Sequence, residues 1–312
     1  MELRKEFRFT SVSGHIPTSP ASNLLGPLGA LKGTWKGHGF NQIWRPFNGG
    51  PPAQDRFLEL NQTNEIIEFE EIPGDIPNRG LLQTDINLHG LRYLQQIQDA
   101  IVLGPNGQPA GIHVEPGIWV AVPATSNPLD PTTVARLANI PHGTSLVAQG
   151  TSLTPLNGPP PIAAASITPF RIGQPANTVP FPESDLAIAT PFRTDPGDIP
   201  NVTQAMVDNP NLALTLGLQG KNVISTVTLR ISTVPLNPPT TGGGTSNIAF
   251  LQGAAGGPNA QAAQMDAIFW IETLQEADGR IRHQLQYTQR VLLNFKNLSW
   301  PHVSVATLIK EE

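Results

Sequence analysis

The sequence predicts an all-β protein: a closed antiparallel up-and-down β-barrel with long Pro/Gly-rich insertions and at most short helices. Gly contributes 29 and Pro 32 of the 312 residues, which is about one and a half times the average usage of these two residues and disfavours long helices. Many short segments alternate apolar and polar residues between turn signals. Segments near both ends of the chain are strand-like, so a first and a last strand can pair and leave no free edge.

The strand-like segments begin at residue 33. In 33–40 (GTWKGHGF) the period of two places Thr34, Lys36 and His38 on one face and Trp35 on the other. In 111–123 we expect a strand that bends at Pro116 and Gly117. The other strand-like segments are 57–69, 90–98, 144–151, 223–234, 267–274, 281–295 and 301–309.

Two segments interrupt this pattern within a single domain that we expect to span 1–312. Segment 153–218 contains too many prolines for interior strands but too many apolar residues for a free linker. We therefore expect it to be ordered, covering the barrel or forming an interface between subunits, with a short helix within 201–217. The second segment, 235–264, contains Thr240-Thr-Gly-Gly-Gly-Thr. Because no Lys follows these glycines, we interpret them as a flexible turn and not as a phosphate-binding loop.

Composition excludes several classes of function. The chain has no Cys, which rules out disulfides, iron–sulfur clusters, cysteine nucleophiles and every Cys-containing zinc site. The formal charge is −5 with scattered Lys and Arg, so neither nucleic acid nor an anionic membrane is an expected partner. Met1 to Arg8 carry charges of both signs with no apolar stretch behind them, which favours a cytoplasmic location.

His302 is the most suggestive candidate ligand. In Pro301-His-Val-Ser-Val-Ala-Thr-Leu, strand alternation places His302, Ser304, Ala306 and Leu308 on one face. If that face points into the barrel, the small side chains of Ser304 and Ala306 leave room beside the imidazole for a flat group. A single His on a strand is also an ordinary hydrogen-bonded residue, and the pattern leaves both interpretations open.

Other chemical motifs have less support. His113-Val-Glu has the spacing of a deaminase motif, but that zinc chemistry needs a downstream Cys pair. Glu68, Glu70 and Glu71 are better explained as a solvated strand face than as a glycosidase carboxylate pair. No Gly-x-Ser-x-Gly motif is present, so a serine hydrolase of the common type is not supported.

Four segments, in the same order along the chain, resemble the nitrobindins, haem-binding β-barrels related in shape to fatty-acid-binding proteins and lipocalins. Gly33-Thr-Trp-Lys-Gly-His-Gly is similar to their Gly-Thr-Trp-x-Gly-x-Gly opening strand. Glu65-Ile-Ile-Glu-Phe is similar to their next strand, and His113-Val-Glu-Pro-Gly-Ile-Trp resembles their His-x-Glu-x-Gly-aromatic segment. Tyr287-Thr-Gln-Arg followed by Pro301-His-Val-Ser-Val-Ala-Thr-Leu resembles their final hairpin and its Pro-His-Leu-x-Ala-x-Leu ending.

The resemblance implies a b-type haem with His302 as the proximal iron ligand and His113 on the distal side. Ile112 and Val291 match positions where family members place apolar pocket residues. It also implies a small-molecule partner at the iron. The implied activities are binding of nitric oxide, isomerisation of peroxynitrite to nitrate, or peroxidase-like turnover of hydroperoxides, which make a haem-dependent enzyme the favoured expectation.

The chain departs from the family in its length and at Pro116, and two other functions stay open. A lipocalin-like carrier would hold an apolar small molecule in the same barrel without haem, and it would not need an inward His302. A structural or assembly protein would use the insertions to pack subunits together, which also allows a homo-oligomer.

Overall fold

Sixteen strands and two short α-helices follow one another in the residues that the computed structural model describes, which are 24–51, 54–254 and 256–312. Residues 1–8 and His15 lie outside these ranges. The strands are β1 (Gly33–Pro46), β2 (Arg56–Glu71), β3 (Ile76–Asn78), β4 (Ile86–Leu103), β5 (Pro109–Val122), β6 (Thr125–Ser126), β7 (Leu129–Asp130), β8 (Thr133–Ile140), β9 (Thr144–Ser152), β10 (Phe170–Arg171), β11 (Gln174–Thr178), β12 (Val223–Ser232), β13 (Gly243–Asn247), β14 (Gln261–Gln275), β15 (Ile281–Phe295) and β16 (Leu298–Lys310). The helices are α1 (Gln204–Asp208) and α2 (Leu212–Gly217), and 3₁₀ turns cover Gly26–Leu31, Pro182–Ser184 and Pro196–Asp198.

Ten of these strands form a closed antiparallel barrel, which confirms the predicted fold class. Their order is β1-β2-β4-β5-β8-β9-β12-β14-β15-β16, and β16 pairs back with β1, from Trp35 opposite Lys310 to Gln42 opposite Val303. Closure leaves the barrel wall without a free edge. Within the described ranges, none of the helices has the length and apolar character needed to cross a membrane.

Two features differ from the sequence prediction: strand β8 was not expected, and the glycine-rich segment is more than a turn. In β8 an arginine occupies a buried position, Arg136, so the apolar alternation that marks a strand is broken. The Gly-rich segment is not only a turn, because Gly243–Asn247 forms β13 and pairs with Thr144–Ala148 of β9. Since β9 pairs with β12 only from Gln149 to Ser152, β13 completes the wall beside the first half of β9.

Pro116 lies inside β5 without ending it. Pro116 pairs with Leu94 of β4, whereas pairing between β5 and β8 starts one residue later, at Gly117. A proline has no N–H to donate to a neighbouring strand. Pro116 therefore lies just before β5 begins to pair with β8, where no N–H is needed on that side of the strand.

One end of the barrel is closed by apolar side chains. The 3₁₀ turn places Leu28 and Leu31 in the same buried cluster as Trp35 and Trp119. The Trp35 indole Nε1 donates to the Leu31 carbonyl oxygen at 2.6 Å. We call the opposite end, where β1 ends, β9 begins and β16 begins, the barrel mouth.

Residues 153–218 pack against the outside of the barrel wall. Trp44 Nε1 donates to the Ile167 carbonyl oxygen at 2.9 Å, and the Phe181 ring stacks on Trp300 with centroids 5.0 Å apart. The members of this second buried core are Phe40, Trp44, Leu58, Leu60, Ile167, Ile199, Val207, Leu214, Trp270, Phe295, Trp300, Val303 and Val305. The segment therefore covers β1, β2 and β16 from outside.

Candidate functional site

Three imidazoles lie near one another at the barrel mouth. The side chain of His302 points into the barrel. Ala306 and Leu308, on the same face of β16, belong to the core inside the barrel, which we call the interior core. Val303 and Val305, on the opposite face, belong to the second buried core outside the wall, which we call the outer core. The rings of His113 and His142 are 5.8 Å apart. His113 is on β5, and His142 is in the turn between β8 and β9.

The His302 imidazole is uncharged over the physiological range. Burial first, and then the nearby His113 and His142, lower the pKa of His302 to about 3. Its Nε2 lies 3.3 Å from the Ser304 hydroxyl oxygen. Val291 is the residue directly opposite on β15 and packs against the interior core. His302 thus presents a neutral imidazole between one small polar side chain and one apolar side chain.

A hydrogen bond to Glu115 fixes the orientation of the His113 ring. The His113 Nε2 lies 3.2 Å from Glu115 Oε2, and the Glu115 side chain is fully buried. Burial acts to raise the pKa of Glu115, but Arg136 and then the His113 hydrogen bond lower it to about 2. Because an ionised carboxylate only accepts hydrogen bonds, the His113 Nε2 carries the proton between the two residues.

Arg136 joins Glu115 to the far wall of the barrel. Its guanidinium forms an ion pair with Glu115 and donates to the Tyr93 hydroxyl at 2.8 Å and to Gln289 Oε1 at 2.7 Å. Tyr93 in turn donates to Glu115. Gly117 makes room for this arrangement, because a Cβ there would lie 2.6 Å from the Tyr93 ring. The ion pair is therefore fully enclosed, and its polar atoms have partners as buried charges require.

A second buried carboxyl group lies beside this network. Burial raises the pKa of Glu65, although hydrogen bonds from Tyr287, Thr63 and Gln95 oppose the shift. Thr63 Oγ1 donates to Glu65 Oε1 at 2.7 Å, Tyr287 donates to Oε2, and Gln95 Nε2 donates to the Tyr287 oxygen at 3.0 Å. The interior thus holds one strongly acidic carboxyl group, Glu115, and one that retains its proton more readily, Glu65.

The structure places the sequence-predicted residues as follows. Ser304, Ala306 and Val291 lie with His302 on the inner faces of β16 and β15. Ile112 differs from the others: the pairing of β5 with β4 shifts register at this residue, and its backbone hydrogen-bonds His142. Ile112 therefore contributes its backbone to the imidazole cluster, while its side chain belongs to neither apolar core.

Sequence reasoning missed the groups that orient His113. Glu115 appears in the sequence only within motifs centred on His113, which assign it no role of its own, and Arg136 lies on β8, the strand that the sequence pattern does not indicate. His142 lies in a turn, where no periodicity indicates direction. Of the acidic residues Glu68, Glu70 and Glu71, Glu70 pairs with Arg92 and Glu71 with Lys32 at the surface, as a solvated face predicts.

No group of three His, Asp or Glu side chains in the described parts of the chain has the arrangement of a metal-ion site. No family model matches the sequence, and no curated protein matches it. Among solved structures, the chain is similar to the crystal structure of Rv2717c from M. tuberculosis, with 14% identity over 94% of this chain and 99% of that one and a TM-score of 0.41. The fold assignment above rests on the strand pairing alone.

Proposed function

We propose that the barrel mouth binds a b-type haem, with His302 as the residue that would ligate the iron. The observation that carries this proposal is the neutral, inward-facing imidazole at the start of β16, whose pKa is lowered to about 3. An imidazole ligates a metal through an uncharged nitrogen. A histidine that stays uncharged throughout the physiological range is suited to that role.

The residues around His302 fit the group. Ser304 and Ala306 are small, and Val291 offers an apolar surface directly opposite. The only hydrogen bond of His302 Nε2 in the described structure is the 3.3 Å contact with Ser304, which is long for a hydroxyl donor and so is readily exchanged for a metal bond. The Ser304 hydroxyl is then free to bond elsewhere.

When bound, haem would supply an iron able to take up nitric oxide, peroxynitrite or a hydroperoxide. His113 would act on the opposite side of the site. Its Nε2 proton is held by Glu115, while its Nδ1 has no hydrogen-bond partner among the described residues. Glu115 thus orients the ring so that Nδ1 can accept a hydrogen bond or a proton from a molecule bound at the iron, a role that favours an isomerase or peroxidase.

An apolar carrier is less well supported. The side chains of Trp35, Trp119 and Phe269 fill the closed half of the barrel. The buried ion pair of Glu115 and Arg136 lies between these aromatic side chains and the barrel mouth. An acyl chain long enough to fill the barrel would have to pass these charges. The polar interior favours a ligand that stays at the mouth.

An absorption titration with haemin tests the proposal. The purified protein should give a Soret band that saturates at one equivalent, and His302→Ala should lose most of it while unfolding as cooperatively as the wild type. His283→Ala, an exposed position on β15, is the matched control and should keep the band. Full haem binding by His302→Ala, or no saturable band in the wild type, would refute the assignment.

A further inference from the structure

Two buried amide oxygens at the barrel mouth have no hydrogen-bond partner within the described residues. They are Asn41 Oδ1 and Asn61 Oδ1, and the two residues are only 2% and 8% exposed. They face each other on adjacent strands, since Asn41 of β1 pairs with Asn61 of β2. Buried polar atoms in native proteins nearly always have a partner, and an orphaned one needs an explanation.

The orientation of Asn61 is fixed by its own hydrogen bond. Its Nδ2 donates to Asp99 Oδ2 at 2.9 Å, so the oxygen is the atom left without a donor. Asp99 Oδ1 accepts from the backbone N–H groups of Ile101 and Val102, both at 2.8 Å. The Asp99 side chain is therefore fully engaged and holds the amide of Asn61 in this orientation.

These two oxygens lie near His302, the proposed iron ligand. Asn41 of β1 pairs with Ser304 of β16, where the first and last strands close the barrel. The Ser304 hydroxyl lies 3.3 Å from His302 Nε2. All three side chains occupy inward positions. A small molecule that reaches His302 at the mouth therefore lies close to Asn41 and Asn61.

The amide oxygens of Asn41 and Asn61 favour a ligand that donates hydrogen bonds and disfavour an anion. The two buried unpartnered atoms are amide oxygens, which accept hydrogen bonds, and the carboxylate of Asp99 already bonds the amide nitrogen of Asn61. The buried cation inside the barrel, Arg136, is already paired with Glu115. An anion here would meet two carbonyl oxygens and a carboxylate, whereas a molecule with two adjacent donors would satisfy both amides.

We propose that Asn41 and Asn61 form a subsite for a small neutral molecule with two adjacent O–H or N–H donors, such as hydrogen peroxide or hydroxylamine. The inference rests on the proposed function in one respect, because it names the class of ligand delivered to the His302 site. The subsite itself consists only of residues of this chain and does not require haem.

Binding is measured on the haem-free full-length protein with ¹⁵N-labelled asparagine. Hydrogen peroxide and hydroxylamine should each shift the side-chain amide signals of Asn41 and Asn61 saturably, and the tighter of the two identifies the better ligand. Azide and nitrite at equal concentration should leave both signals unchanged. Equal shifts with azide would overturn the proposal.

Two substitutions in the subsite and one control substitution locate the effect. Asn61→Leu should raise the dissociation constant about tenfold, the size expected from losing one hydrogen bond, whereas Asn64→Leu on the outer face of the same strand should not change it. Asn41→Ser, which keeps a small polar side chain if the leucine variant fails to fold, should also weaken binding. Unchanged affinity in either subsite variant would refute the subsite.

The haem titration separates the two proposals. Donor-selective amide shifts without a Soret band would support the subsite and reject haem binding. A normal Soret band without amide shifts would reject the subsite and leave haem binding intact.

Discussion

Arg136 and Glu115 form an ion pair inside the barrel, where their side chains are 1% and 0% exposed. Both partners also hydrogen-bond Tyr93. Because neither charge reaches water, each depends on the other for its solvation. Glu115 in turn bonds His113, so the ion pair links barrel stability to the candidate site.

Removing one partner of this pair should be costly. Arg136→Met should lower the free energy of unfolding by about 3–5 kcal/mol, since it leaves the buried Glu115 charge uncompensated. The double variant Arg136→Met/Glu115→Gln should recover part of that loss. Denaturant unfolding measures both, and Arg79→Met, from an exposed pair with Asp85, should hardly differ from the wild type. A loss as small for Arg136→Met as for Arg79→Met would contradict the buried-pair interpretation.

The lowered pKa of His302 should make stability fall in acid. The pKa drops from an ordinary 6.5 to about 3 on folding, so between these values the unfolded chain binds a proton that the folded protein does not. Stability therefore decreases as the pH falls through this window, by about 1.4 kcal/mol per pH unit for this group alone. His302→Asn should lack this contribution. If the difference in unfolding free energy between the wild type and His302→Asn is the same at pH 6.5 and at pH 4, the lowered pKa of His302 is contradicted.

Glu272 should act in the opposite direction. This carboxyl on β14 is fully buried, and burial raises its pKa from 4.5 to about 7, although Gln284 and Lys221 oppose the shift. A raised folded-state pKa contributes stability below pH 4.5 that is lost as the pH rises to 7. Glu272→Gln should therefore raise the unfolding free energy at pH 8 by up to about 3 kcal/mol. At pH 4.5 the same variant should show no gain, and a gain of equal size at both pH values would refute the linkage.

Trp35 should be a structural residue. It is completely buried at the closed end of the barrel and donates to the Leu31 carbonyl oxygen, so Trp35→Ala should cost about 3–5 kcal/mol. The folded fraction of the variant should bind haemin with an unchanged spectrum, because the residue lies at the end opposite His302. A stable variant with an altered Soret band would instead place Trp35 against the ligand.

The outer segment should stabilise the barrel without controlling access to the mouth. Ile167→Ala should cost about 2–5 kcal/mol, since Ile167 is only 2% exposed in the outer core. Ile172→Ala, at a 47% exposed position of the same segment, is the matched control and should change stability by less than about 0.5 kcal/mol. Stopped-flow azide binding to haem-loaded protein should be equally fast in both variants. Faster binding in Ile167→Ala alone would show that the segment gates the mouth.

The fold class and the faces of individual strands can be predicted from the amino-acid sequence. A period of two is a local property of an extended chain, so it placed Trp35 opposite His38 and put His302, Ser304 and Ala306 on one face. Strand-like segments at both ends of the chain predicted closure. The missing strand, β8, shows the limit of this reasoning: its inward Arg136 breaks the apolar pattern, and only Glu115 on the neighbouring strand makes a buried arginine tolerable.

Which strand faces meet depends on contacts between distant parts of the chain. Alternation gives each strand two faces, but it does not set the register between strands that are far apart in the chain, and a shift by one residue exchanges inside and outside. Pairing in the closed ring brings His302, His113 and His142 to one mouth and sets Asn41 beside both Asn61 and Ser304. Likewise, the apolar residues of 153–218 indicated that the segment is ordered, but its position on the outer wall followed from contacts with Trp44 and Trp300, because burial of apolar surface is non-directional and does not specify a partner.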